Sequence, residues 1–142
     1  MPAINDYKCN KCDLSFPSGW GGYFYVIDDN GKRIICPHPG EYIMAEEVLG
    51  RDIPDDIFNE RTGFNSYCIC LDCHRQFELD IGDDEKAESS WRYFHGAIRK
   101  RDERLCLNCN SANVKTVLEL IGGQCPVCRK GTVEEISTGW MC

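Results

Sequence analysis

At 142 residues and a formal net charge of −7, the chain fits one domain or two small ones and has no room for a large enzyme core. It shows neither a charged-then-apolar leader nor a long apolar run, so the sequence predicts a soluble, cytoplasmic protein whose thiols stay reduced. Residues 1–85 carry 7 Lys and Arg against 17 Asp and Glu, and residues 86–142 carry 9 against 6, so the acidic front repels phosphate backbones and only the mildly basic back could meet nucleic acid.

In chain order, Tyr7 to Asp13 predicts a short strand entering a knuckle, Cys9-Asn-Lys-Cys12. A Cys-x-x-Cys lets two thiolates from one tight turn point at a single ion, and two such turns complete a tetrahedral four-sulfur site. The residue after the second cysteine tends to need a left-handed backbone, which Gly adopts most easily and Asn, Asp and His tolerate. Here and in three later copies of the phrase those positions are Asp13, His74, Asn110 and Arg129, so His74 reads as a turn residue rather than a ligand.

Tyr23 to Asp29 and Lys32 to Ile35 are two β-prone runs around Asn30-Gly31, which predicts a β-hairpin over 23–36. Cys36 and His38 either complete a site with Cys9 and Cys12 or serve as a packed thiol and a loop residue. Four intact knuckles close two sites without them, which favours the second reading. Residues 44–63 predict two short helical segments, the first ending at Gly50 and the second capped by Asp52 with Pro54 in its first turn, a helical insertion covered by Ile53, Ile57, Phe58 and Phe64.

Tyr67 to Leu79 reads as strand, knuckle, strand around Cys70-Leu-Asp-Cys73, each arm with one apolar face. Cys68 reads as a packed thiol, with an alternate ligand or a redox thiol as the other options. The acidic stretch 80–88 marks a boundary between a module of residues 1–85 and one of residues 86–142. Ser89 or Ser90 then caps a connecting helix over 91–101, with Trp91, Phe94 and Ile98 on one side. Arg92, Arg99, Lys100, Arg101 and Arg104 form the dense basic cluster, either a solvated helix face or a phosphate-contacting one, with Trp91, Tyr93 and Phe94 available to stack on bases. The tail predicts knuckle (Cys106-Leu-Asn-Cys109), strand (Val114 to Ile121), knuckle (Cys125-Pro-Val-Cys128) and strand (Thr132 to Ile136). Fifteen residues separate Cys109 from Cys125, a spacing expected of a four-cysteine module.

The four knuckles hold eight of the 11 cysteines, and an odd total suits a disulfide framework poorly. At these residues the chain resembles the zinc-ribbon superfamily, whose rubredoxin-like knuckles hold one zinc between two β-hairpins. The resemblance implies two zinc ions on Cys9, Cys12, Cys70, Cys73, Cys106, Cys109, Cys125 and Cys128. It implies a small α+β, metal-stabilised fold of two zinc-ribbon-like antiparallel β modules, with the helical insertion and connecting helix outside the resemblance. The first-choice pairing joins Cys9/Cys12 to Cys70/Cys73 and Cys106/Cys109 to Cys125/Cys128. The alternative joins Cys70/Cys73 to Cys106/Cys109 and ties the chain ends through Cys9/Cys12 and Cys125/Cys128.

Closed all-cysteine sites cannot activate water, and the sequence has no catalytic triad or phosphate-binding Gly loop. The leading expectation is a non-catalytic adaptor or accessory subunit with a protein partner, contacted through Trp20 to Tyr25 and the Trp140-Met141 tail. The second is a nucleic-acid binder using the basic cluster, and the third a rubredoxin-like iron electron carrier. The superfamily is functionally mixed, so resemblance of fold does not choose among them.

Overall fold

The computed structural model describes residues 3–37, 40–81 and 101–141. His38 and residues 82–100, on which the expected connecting helix with Trp91, Arg92, Tyr93, Phe94, Arg99 and Lys100 falls, lie outside the described residues. Along the chain run β1 (Ala3–Cys9), β2 (Ser15–Gly19), β3 (Gly22–Ile27), β4 (Arg33–Cys36), α1 (Glu41–Leu49), α2 (Asp55–Glu60), β5 (Thr62–Cys70), β6 (Gln76–Leu79), β7 (Val114–Thr116), α3 (Val117–Leu120) and β8 (Val133–Met141). The result is α+β, with few helices and two antiparallel sheets. One sheet has the order β2-β1-β8, the other β4-β3-β5-β6 with β7 also paired to β5.

Strand β5 is the hub. Its residues Thr62 to Ser66 pair with β3, Ser66 to Ile69 with β6, and Cys68 to Cys70 with β7. The sequence predicts a strand only from Tyr67, because the polar residues Thr62, Asn65 and Ser66 break the apolar pattern. All three are buried. Two of them are satisfied locally: Thr62 Oγ1 donates to the Phe58 carbonyl at 2.8 Å, and Asn65 donates to the Tyr23 hydroxyl at 3.2 Å. Nor does β5 keep one face for solvent, since it borders all three cores. Phe64 packs with Trp20, Phe24, Val26, Ala45 and Phe58; Ile69 with Tyr7, Phe16, Val117 and Val133; Cys68 and Cys70 with Phe77, Leu79 and Val114.

The expected hairpin is present as β3 and β4, with Ile27 opposite Arg33. Asp28 organises its loop by accepting from the backbone N–H groups of Asn30 and Lys32, both at 2.9 Å. Because β3 lies between β4 and β5, the aromatic stretch read as contact surface is core: Phe24 and Tyr25 are fully buried and Trp20 nearly so. Helix α1 ends at Gly50 as expected, and Phe58 of α2 reaches the same core.

The tail departs from expectation after Thr116. The predicted strand breaks into α3, because Thr116-Val-Leu-Glu119 is a capping box: Glu119 N–H donates to Thr116 Oγ1 at 3.3 Å and Thr116 N–H to Glu119 Oε1 at 3.0 Å. Strand β8 runs longer than expected and pairs with β1 from Cys9 opposite Val133 to Ala3 opposite Met141. Strands from both sides of the 85/86 boundary therefore share both sheets.

A polar clamp fixes where the chain re-enters at Arg101. The Arg33 guanidinium grips Asp102 with two bonds of 2.7 and 2.8 Å, and Asp102 also accepts the Asp80 N–H at 2.7 Å. Arg101 donates to the Tyr25 hydroxyl at 2.8 Å and the Thr62 carbonyl at 2.6 Å, while Tyr25 donates to the Asp80 carboxylate. Both guanidinium groups lie over the Tyr25 ring, at 4.8 and 5.8 Å from its centre. Burial raises the Tyr25 hydroxyl and the Asp80 carboxyl above their ordinary ranges. Burial pushes Asp102 the same way, but the Arg33 fork and the Asp80 amide outweigh it and hold that carboxyl below its ordinary value. A Cβ on Gly63 would stand 2.5 to 2.6 Å from Tyr25 Oη, Arg101 Nη1 and Asp80 Oδ2, so the clamp needs glycine there.

Two substitutions measure this clamp. Asp102→Asn leaves a half-buried guanidinium short of its charged partner and is expected to cost about 2 kcal/mol in urea unfolding. Gly63→Ala should cost about 1–3 kcal/mol by overpacking. Stability unchanged in both variants would show that the clamp does not hold the segment.

Candidate metal centres

Each knuckle is built by the same backbone bonds. The first cysteine's N–H reaches a carbonyl five or six residues on: Cys9 to Leu14, Cys70 to Arg75, Cys106 to Ser111 and Cys125 to Gly131, at 2.8 to 2.9 Å. In three of them a left-handed residue donates back to the first cysteine's carbonyl. These are His74, Asn110 and Arg129, with φ of 63°, 62° and 58°. His74 is thus a turn residue, as expected. Asp13 does not adopt the left-handed backbone, while Arg129 does so despite its long side chain.

The eight expected cysteines gather in two groups of four that can hold metal, and in each group all Sγ atoms lie within 4.8 Å of one another. Cys9 and Cys12 meet Cys125 and Cys128, with Cys9–Cys128 and Cys12–Cys125 Sγ separations of 3.7 Å. Cys70 and Cys73 meet Cys106 and Cys109, with Cys70–Cys109 and Cys73–Cys106 separations of 3.6 Å. This is the alternative pairing, and the first choice is corrected. Strand pairing explains why: β1 delivers Cys9 opposite Val133, just beyond the Cys128 knuckle, and β5 delivers Cys70 opposite Val114, just beyond the Cys109 knuckle.

The spacing fits a tetrahedral ion. With metal–sulfur bonds of about 2.3 Å, the edge of a regular four-sulfur tetrahedron is about 3.8 Å, close to the separations found, whereas a disulfide requires about 2.05 Å. The charges point the same way. Four thiols crowded together cannot all ionise unaided. The Lys130 and Gly131 amides pull Cys128 down to about 6 and the Arg75 amide does the same for Cys73. The Leu14 amide also pulls on Cys12, but burial and the three neighbouring sulfurs push it up to about 12. A divalent cation at the centre relieves that conflict and makes all four thiolates favourable.

Cys36 and Cys68 belong to neither group. Cys36 is buried against Phe24 and Phe58, and its thiol is pushed up to about 12 by burial and by Glu41. Cys68 is buried in the core beneath Cys70, its Sγ 3.4 Å from the Ser66 carbonyl. The basic cluster is also redistributed. Arg101 sits in the clamp, and Arg104 bonds the Val114 carbonyl at 3.1 Å and the Glu119 carboxylate, so neither is offered to phosphate.

Two stitches were invisible in the sequence. Asp72 ties the second knuckle to the third through Ser111 and Asn113, which hold its carboxyl below the ordinary range. Gly131 lets the fourth knuckle close on the first: a Cβ there would stand 2.5 Å from Cys9 Sγ and 2.9 Å from Lys11 Cβ. Among the described residues no helix is long and apolar enough to cross a membrane.

No protein-family model matches the chain, and no solved structure matches it. The chain is 28% identical over 129 residues to the mouse (Mus musculus) exosome complex component RRP40, across 91% of this chain and 35% of that protein.

Because the first group joins the two ends of the chain, Cys125→Ser is expected to lower bound metal by one ion and expose Cys9 and Cys12 to alkylation while Cys70, Cys73, Cys106 and Cys109 stay protected. Exposure of Cys106 and Cys109 instead would restore the first-choice pairing.

Proposed function

We propose that the chain is a zinc-bound, non-catalytic subunit of a larger protein complex, with zinc on Cys9, Cys12, Cys125 and Cys128 and on Cys70, Cys73, Cys106 and Cys109. The observation that carries this reading is closure: four sulfurs at tetrahedral spacing fill zinc's coordination shell and leave no position at which water could be activated. The metal then supplies folding energy to a chain with three small cores. Similarity to a protein named as a component of a complex supports the subunit role, and as the chain spans 35% of that relative, only that general role is carried over. A reducing compartment such as the cytoplasm keeps thiolates in this state.

The partner's contact is assigned to β8, where Trp140 is 75% exposed and Ile136 is also exposed. Aromatic side chains are enriched at interfaces, and so exposed a tryptophan, beside the irregularity in the β1–β8 pairing, adds little to the protein's own core.

The reading is tested by purifying the untagged native protein, measuring its metal and identifying what stays bound. Two zinc ions per chain, a colourless solution and a protein partner that Trp140→Ala releases without loss of stability are expected. Red colour from iron thiolate would instead assign an electron carrier, since all-sulfur sites also take iron.

A second measurement bears on nucleic acid. With Arg101 and Arg104 engaged internally and a net charge of −7, the intact chain should bind RNA or DNA weakly near physiological salt. Tight binding whose logarithmic salt slope is roughly −0.7 to −0.9 per phosphate, lost when Arg99 and Lys100 become Glu, would put a nucleic-acid role first.

A further inference from the structure

We infer that the group of Cys70, Cys73, Cys106 and Cys109 is an oxidant-sensitive site, in which peroxide attacks the Cys109 sulfur first. The inference rests on the metal reading above and adds that the two centres differ in access.

In the first group Cys9 and Cys125 are buried and Cys12 and Cys128 half-buried. The backbone closes over it so tightly that Gly131 has no room for a Cβ beside Cys9. Its two halves are joined by one sheet, since Cys9 ends β1 and the chain beyond Cys128 becomes β8. The second group is open on one side. Cys109 is exposed, as are Asn108 and Asn110, and Leu107 at the knuckle's tip is 71% exposed. This knuckle belongs to residues 101–113, which contain no helix or strand, and a cleft of about 500 Å³ opens beside Cys106, Asn108 and Asn110.

Oxidation of sulfur by peroxide follows thiolate character and exposure. Metal binding gives both groups the first property, and Cys109 is the one exposed residue among the eight cysteines. The step balances as follows. The Cys109 thiolate attacks a peroxide oxygen, an S–O bond forms, the O–O bond breaks and hydroxide leaves, giving a sulfenic acid. The Cys70 sulfur, 3.6 Å away, attacks the sulfenic sulfur, an S–S bond forms, the S–O bond breaks and a second hydroxide leaves. Each sulfur has lost one electron, and the peroxide has become two hydroxides that solvent protonates. The centre is left with Cys73 and Cys106 as ligands, too few for a tetrahedral ion, and the metal leaves.

The test uses the full chain, with metal content measured before dilute hydrogen peroxide is added and a chromogenic chelator reporting released zinc. One ion is expected to leave several-fold faster than the other. Peptide mapping when half the metal is free should find Cys70 joined to Cys109 and Cys9, Cys12, Cys125 and Cys128 unmodified. Cys109→His keeps a ligand nitrogen but removes the oxidisable sulfur, so a variant that retains two ions should lose the fast phase. Release of both ions in a single phase, first oxidation in the other group, or a fast phase that persists in two-ion Cys109→His overturns the inference. The mapping result on the unsubstituted chain decides even if the variant does not fold. Fewer than two ions before peroxide overturns the metal reading itself and this inference with it.

Discussion

Sulfur placement is the constraint on which the rest of the molecule depends. Each four-sulfur group takes two cysteines from either side of residue 85, so neither group can assemble until distant strands have paired. The cores are correspondingly small, and two of the three lie directly beneath the knuckles. Cys9 and Cys125 pack with Tyr7, Ile69 and Val133, and Cys70 and Cys106 with Phe77, Leu79 and Val114. In these two cores sulfur and hydrocarbon burial are one structure, and the packing positions the thiols as much as the thiols close the packing.

The polar clamp does for residues 101–104 what strands do elsewhere. That segment has no ladder of its own, yet it must carry Cys106 to Cys73. Arg33, Tyr25, Asp80 and the β5 backbone give it fixed partners, and partial burial makes those charge-assisted bonds stronger than they would be in water. The same segment engages two arginines of the basic cluster, Arg101 in the clamp and Arg104 on the Val114 carbonyl and the Glu119 carboxylate. Their spacing in the chain looks like a solvated cationic face, and only the fold reveals that carboxylates and carbonyls surround them.

The knuckles were legible, because Cys-x-x-Cys is a local signal: knuckle geometry depends on residues within one turn of each other, and His74 and Asn110 could be placed in that turn from chemistry alone. The pairing was not legible. It is decided by which strand lies beside which, and β5 began with polar residues, Thr62, Asn65 and Ser66, that carry no apolar period. The hairpin at Asn30-Gly31 was readable for the same local reason as the knuckles. The Thr116 to Glu119 turn was readable in principle, since its capping box is written in the sequence, but the β-branched run around it argued louder for a strand.

The pairing of β1 with β8 also has a consequence for how the protein is made. Cys9 faces Val133, so when the first knuckle leaves the ribosome its partner strand has not yet been translated. At roughly 5–20 residues per second the wait is on the order of ten seconds. During it Cys9 and Cys12 are nascent thiols with half a coordination shell, open to the wrong metal or to each other. The order of synthesis thus runs against the order of assembly.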